Sequence, residues 1–230
     1  PAECLRITNI KEDAVIGEIV IQDAAGNILP VRNNHFYPQL YDEANVYPET
    51  INHLSGCYFD EIYYTRTVYE FMHGLRTYEN THPPFGKVLI TLGATLLGTT
   101  PFGFRFMGTL FGVLMLPFMY LLGRNISRNR YVGAFTAFLF AFDFMHFAQT
   151  RLTTIDVFIT FFVIVMYYFM ERYVNTSFYD KPLKETWIPL GACGIAFGFG
   201  IASKWTGAYA GAGLALIFFA SLWNRYREYK

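Results

Sequence analysis

The sequence has 230 residues, of which 53% are hydrophobic and 19% aromatic against only 16% charged. That is more apolar surface than a soluble domain needs to bury, and it points to a membrane protein. Basic and acidic residues balance at 18 each, so no global field attracts nucleic acid, which is set aside as a partner.

The chain opens on Pro1 rather than Met, with no charged-then-apolar leader. It reads as a fragment whose targeting segment is missing or lies upstream. Cys4, Cys57 and Cys193 show no CxxC spacing, which argues against a metal knuckle or a fully paired disulfide framework.

From Cys4 to Val31 the β-branched runs "LRITNI" and "AVIGEIVIQ", with turn chemistry at Asp23 to Asn27, predict extended structure. Residues 1–33 are read as the tail of an extracytoplasmic β-domain. Residues 34–57, with Pro38 and Pro48 and no clear period, are read as a linker. The stretch "YFDEIYY" (Tyr58 to Tyr64) then opens an amphipathic helix. Asp60 is its expected N-cap, Ile62, Tyr69 and Met72 its apolar stripe, and Gly74 its stop.

Val88 to Leu97 is apolar but too short to span, and it is expected to lie in the interface. Residues 58–103 thus form an outer loop with interfacial helices. Residues 104–230 contain five long apolar runs, read as transmembrane helices: Phe104 to Leu122, Tyr131 to Phe147, Thr153 to Met170, Trp187 to Ser203 and Ala208 to Trp223. The expected fold class is a multi-span, all-α membrane protein with a short β-rich segment at its N-terminal end.

Basic residues set the expected orientation. Arg124, Arg128 and Arg130, then Arg172, Lys181 and Lys184, then Arg225, Arg227 and Lys230 all fall on one side, which the positive-inside rule makes cytoplasmic. The opposite side holds Arg105, Arg151, Asp156 and Lys204 at the span ends, with Asp60, Glu61, His82 and Lys87 in the loop before them. Ionisable groups at membrane depth usually face a cavity or a partner. Taken singly, Arg151 could simply pair with Asp156, while Arg105 and Lys204 snorkel to headgroups. Together, four cations beside acids suit a bound phosphate. In "ENTHPPFGK" (Glu79 to Lys87), two prolines and Gly86 shape a rigid turn that leaves Lys87 near a helix start.

"YFDE", "HPPFGK", "FRFMGTLFG", "QTRLTTID" and "SKWTG", in this order over Tyr58 to Gly207, resemble the protein O-mannosyltransferase family. The resemblance implies the membrane-embedded GT-C glycosyltransferase fold, here partial, and transfer of mannose from a polyprenyl-phosphate lipid to Ser or Thr hydroxyls of a protein acceptor. The β-like opening is similar to bacterial relatives with an added β-domain. That implies a bacterial plasma membrane with an outward-facing site, or a lumenal site in the endoplasmic reticulum if eukaryotic.

Such transfer needs one base, because phosphate leaves without protonation, unlike the carboxylate pair of a glycosidase. By resemblance Asp60 is the catalytic base, and Glu61 orients the site or pairs with a cation. Lys87, Arg105, Arg151 and Lys204 are the candidate donor-phosphate ligands, and His82 and Asp156 are supporting residues. No cofactor is required. A divalent cation at His82 and Glu79 is the minor alternative, without a second histidine at ligand spacing. Asp143 and His146 are read as polar contacts of a cavity wall. Another sugar, a lipid acceptor, a transporter or a membrane receptor are the competing functions; a transporter would place its charges nearer the midplane.

Overall fold

The computed structural model describes residues 19–31, 40–41, 56–176, 181–182 and 184–229. It divides into two units, Pro1–Gly56 and Cys57–Lys230.

In the first unit, Asp23 organises a turn. Its Oδ1 accepts hydrogen bonds from the backbone N–H of Ala25 and Asn27, and an antiparallel bridge joins Gln22 to Ile28. Short side-chain acceptors that reach the backbone two residues on favour such turns. Beyond this bridge, no strand occurs among the described residues. The rest of the expected β-segment and nearly all of the 34–57 linker lie outside the described residues.

Among the described residues the second unit contains eight helices: α1 (Glu61–Met72), α2 (Phe85–Leu97), α3 (Pro101–Ser127), α4 (Arg130–Ala141), α5 (Phe144–Gln149), α6 (Asp156–Val174), α7 (Lys184–Ser203) and α8 (Gly207–Tyr229). Four of them, α3, α6, α7 and α8, are long and apolar enough to cross a membrane. This is an all-α integral membrane architecture.

Local chemistry sets the helix ends. The Thr100 hydroxyl accepts from the Gly103 N–H, and Pro101 supplies the preset φ of a first helical position. Gly74 adopts φ 63° just past α1, the left-handed backbone that glycine takes without strain. At the far end of α6, Arg225 from α8 donates to the carbonyls of Tyr173, Val174 and Thr176, satisfying acceptors that the helix leaves open.

Helix α6 is the centre of the bundle and packs against α3, α7 and α8. Phe158 and Met166 are fully buried, and Phe111 of α3 meets Phe158, Phe161 and Phe162 edge-on at centroid distances of 5.0, 4.9 and 6.0 Å. In lipid such contacts hold helices together by packing and dispersion, because hydrocarbon offers no aqueous contrast. The exposed Ile188, Leu216 and Phe219 are accordingly unremarkable on lipid-facing surfaces.

The run expected as one span from Tyr131 to Phe147 is divided between α4 and α5. Asp143 takes an extended backbone and its carboxylate accepts from the His146 N–H, which ends one helix and starts the next. At about 1.5 Å per residue, α4 alone covers only about 18 Å. The two helices nonetheless retrace α3. Gly133 lies against the Tyr120 carbonyl near the C-terminal end of α3, His146 Nε2 reaches the Gly112 carbonyl at 3.1 Å, and the Thr109 hydroxyl donates to the Thr150 carbonyl at 3.0 Å. The chain therefore returns to the end of the bundle where α3 began.

Helix α1 turns its apolar stripe outward. Ile62, Tyr69 and Met72 are exposed, whereas Glu61, Tyr64 and Thr67 are buried. An interfacial helix can present apolar side chains to lipid and polar ones to a protein site, and here the polar face meets α3 and the start of α6 through Glu61.

Candidate active site

One end of the bundle gathers the N-termini of α1, α2, α3 and α6 with the α7–α8 turn. At its centre is Glu61, 1% exposed. Arg105 grips it with two parallel hydrogen bonds, Nε to Oε1 and Nη2 to Oε2, each 2.9 Å. The backbone N–H groups of Thr153 and Tyr58 complete the set at 2.7 Å each. Burial alone would raise the Glu61 carboxyl, but the Arg105 guanidinium and these two amides outweigh it and hold the group below the usual carboxylate range. A planar fork on a carboxylate is the strong form of this pair. Glu61 thereby ties α1 to α3 and to the segment that enters α6.

Lys87 is 2% exposed, and its ammonium donates to Glu79 Oε2 at 2.6 Å, to the Glu79 carbonyl at 3.0 Å and to the His82 carbonyl at 2.9 Å. An ammonium has three protons to give. All three go to the Glu79–His82 loop, because a buried lysine without partners would be expensive. Glu79 also accepts from the hydroxyl of Thr81 and the N–H of His82. Burial pulls the Glu79 carboxyl up, yet Lys87 and Thr81 hold it down to about 2. His82 Nδ1 lies 2.9 Å from the Thr81 hydroxyl and 3.5 Å from Glu79. Trp205 donates to the Thr81 carbonyl at 3.1 Å, fastening this loop to the α7–α8 turn.

Lys204 pairs with Asp156, the first residue of α6, at 2.6 Å. The simple expectation that Arg151 pairs with Asp156 is therefore replaced by a different geometry. Arg151 is exposed and lies over the Phe147 ring at 4.7 Å, with no carboxylate partner among the described residues. Asp60 sits at the N-cap position of α1 but makes no capping hydrogen bond. Its own backbone is already helical (φ −71°, ψ −8°), whereas capping needs an extended residue that turns its side chain over the first turn. Among the described residues, the half-buried Asp60 carboxylate has no hydrogen-bond or ion-pair partner.

One residue of the site escaped the sequence reading. Tyr64 is 2% exposed, and burial followed by the nearby charges of Asp60, Asp156 and Glu79 pushes its hydroxyl upward, so it stays protonated. It thus stands among three carboxylates from three elements. The signal was available, since Tyr64 follows Asp60 by one helical turn within "YFDEIYY". The Thr153 N–H left no such trace, because every residue but proline has one.

Asp143 and His146 both line a mainly apolar cavity of about 180 Å³ between α3, α5 and α6, with Met115, Val157 and Asp156. No group of three or more His, Cys, Asp or Glu side chains that could hold a metal occurs among the described residues.

Residues 98–229, more than half of the chain, match the family model described as dolichyl-phosphate-mannose-protein mannosyltransferase. The chain belongs to that family. It is 30% identical over 174 residues to a polyprenol-phosphate-mannose–protein mannosyltransferase of Mycolicibacterium smegmatis, covering 66% of this chain and 33% of the relative. A protein of the same name from Mycobacterium tuberculosis (strain H37Rv) is 30% identical over 173 residues, with the same 66% and 33% coverage. Dolichyl-phosphate-mannose–protein mannosyltransferase 1 of Saccharomyces cerevisiae is 25% identical over 182 residues, covering 72% of this chain and 22% of its own. The chain thus spans about a third of the length of these mycobacterial mannosyltransferases. No solved structure matches it. The family match takes in Arg105, Arg151, Asp156 and Lys204, while Asp60, Glu61, His82 and Lys87 precede it.

Proposed function

We propose that this chain carries the catalytic end of an inverting mannosyltransferase of GT-C architecture, which moves mannose from a polyprenyl-phosphate lipid to Ser or Thr hydroxyls of proteins on the extracytoplasmic side. One observation carries the reading. Where Glu61, Glu79 and Asp156 are locked in pairs with Arg105, Lys87 and Lys204, the Asp60 carboxylate and the Arg151 guanidinium have no ion-pair partner among the described residues. A base and an anion-binding cation are what the reaction requires. The names of the relatives support the donor and acceptor classes.

In this reading the acceptor hydroxyl oxygen attacks the anomeric carbon as its proton passes to Asp60. The bond from that carbon to the phosphate oxygen breaks, and its electron pair leaves with the lipid phosphate. Direct displacement inverts the centre, so a β-linked donor gives an α-linked product. Arg151 meets the charge growing on the phosphate, and Lys204 reaches it from its pair with Asp156. Arg105 and Lys87 act on the same phosphate through the groups they fix, Arg105 by setting Glu61 and the Thr153 backbone, Lys87 by setting the Glu79–His82 loop. His82 supports that loop, and Tyr64 remains a proton donor beside the base. The apolar cavity next to Asp156 gives room for the first isoprene units of the donor.

The test incubates purified full-length protein with radiolabelled polyprenyl-phosphate mannose and a Ser/Thr peptide. Label in α-linkage on the peptide is expected. Label that goes only to lipid, or transfer only from another sugar donor, would overturn the assignment.

A further inference from the structure

The opposite end of the bundle holds a concavity of about 800 Å³ lined by Arg124, Arg128, Arg130, Arg172, Lys181 and Glu171, together with neighbouring polar groups. Its charges are unbalanced. Glu171, the one carboxylate of the lining among the described residues, accepts from neutral amides, Asn175 Nδ2 at 2.6 Å and Asn125 Nδ2 at 3.1 Å. Lys181 pairs outward with Glu185 at 3.2 Å. The hydrogen-bond and ring partners of these arginines are neutral among the described residues: Arg124 reaches Asn125 and the Tyr120 ring, Arg130 reaches Tyr131, and Arg172 reaches the Tyr168 hydroxyl. Arg128 holds φ 55°, a left-handed backbone in which glycine would be unstrained.

Cations enter this concavity from two sides, the α3–α4 turn and the end of α6, which spaces them for more than one anionic group. Guanidinium is the side chain best matched to phosphate oxygens. The concavity lies at the ends of helices long enough to cross a membrane, and the exposed Tyr131, next in the chain to Arg130, is a side chain suited to the membrane–water boundary. Basic pockets at helix ends recognise anionic headgroups.

We propose that this concavity binds the headgroup of a membrane lipid carrying two phosphates, held by Arg128 from the α3–α4 turn and Arg172 from the last turn of α6. The site is independent of the transfer chemistry at the other end.

Full-length protein in neutral detergent is exposed to diphosphatidylglycerol, to phosphatidylglycerol at twice the concentration for equal charge, or to inorganic pyrophosphate. Retained lipid is read by native mass spectrometry and stability by the thermal unfolding midpoint. Diphosphatidylglycerol is expected to stay bound and raise the midpoint, with the other two giving much smaller effects. The pair Arg128→Gly and Arg172→Gln should lower retention on the order of tenfold, given two basic contacts removed. Arg128→Gly alone, which relieves the backbone, should keep the lipid-free midpoint and still weaken retention. Equal retention of phosphatidylglycerol would reduce the effect to general attraction and overturn the site. An equal response to pyrophosphate would make it a soluble-anion site, and unchanged binding by Arg128→Gly together with the pair would place the lipid elsewhere.

Discussion

Glu61 and Asp60 are adjacent acids with opposite fates, and the difference is one of partners. Glu61 is buried and accepts from Arg105, Thr153 and Tyr58, while the Asp60 carboxylate has no hydrogen-bond or ion-pair partner among the described residues. A fully satisfied carboxylate held below its ordinary range is a poor base and a good tether. Glu61→Gln removes the charge that compensates Arg105, and breaking a buried pair from one side destabilises by about 3–5 kcal/mol. The substitution is expected to lower the thermal unfolding midpoint clearly and to reduce transfer with it. A variant as stable as wild type, with turnover lost, would instead make Glu61 a participant in the chemistry.

At the scale of elements, the site depends on how closely the segment before α6 approaches α3. A Cβ on Gly112 would lie 2.4 Å from Thr150 Cγ2 and 2.6 Å from its Cβ, and Thr150 is itself 8% exposed, so the contact has little room to relax. That segment ends in the Thr153 N–H that holds Glu61. Gly112→Ala is expected to destabilise by about 1–3 kcal/mol, the usual range for overpacking, and to lower transfer. Gly191→Ala, where nothing lies within 4 Å, is the control and should be close to wild type in a thermal melt. A Gly112→Ala protein that melts and transfers like the control would refute the close approach. Apolar runs made α2, α3, α6, α7 and α8 legible in the sequence, because length is a local property. The break at Asp143 and the burial of Glu61 and Thr67 in α1 were not, since both follow from what the helices pack against. The same holds for the site: residue types identified Asp60, Arg105, Arg151 and Lys204 as candidates, but only the fold decides that Lys204 takes Asp156 and leaves Arg151 over Phe147.

Across the whole helical unit, the charges of the described residues are sorted between two ends. Asp60, Glu61, Glu79, Lys87, Arg105, Asp156 and Lys204 lie at one, and Arg124, Arg128, Arg130 and Arg172 line the concavity at the other. If the arginine-rich end is cytoplasmic, as the positive-inside rule proposes, a cysteine introduced at Thr77 of the full-length protein should react with a membrane-impermeant thiol reagent in intact cells. One at Asn129 should react only after the cells are opened, and the reverse pattern would invert the orientation. The central claim is that the unpaired carboxylate at the first of these ends takes the acceptor's proton. Asp60→Asn tests it directly, because Asp60 makes no capping bond to lose and Asn keeps its shape. In the full-length protein, the account predicts a normal melting point, intact binding of polyprenyl-phosphate mannose and turnover lower by roughly 10² to 10⁴. A folded Asp60→Asn protein that transfers mannose within a factor of about three of wild type would contradict it.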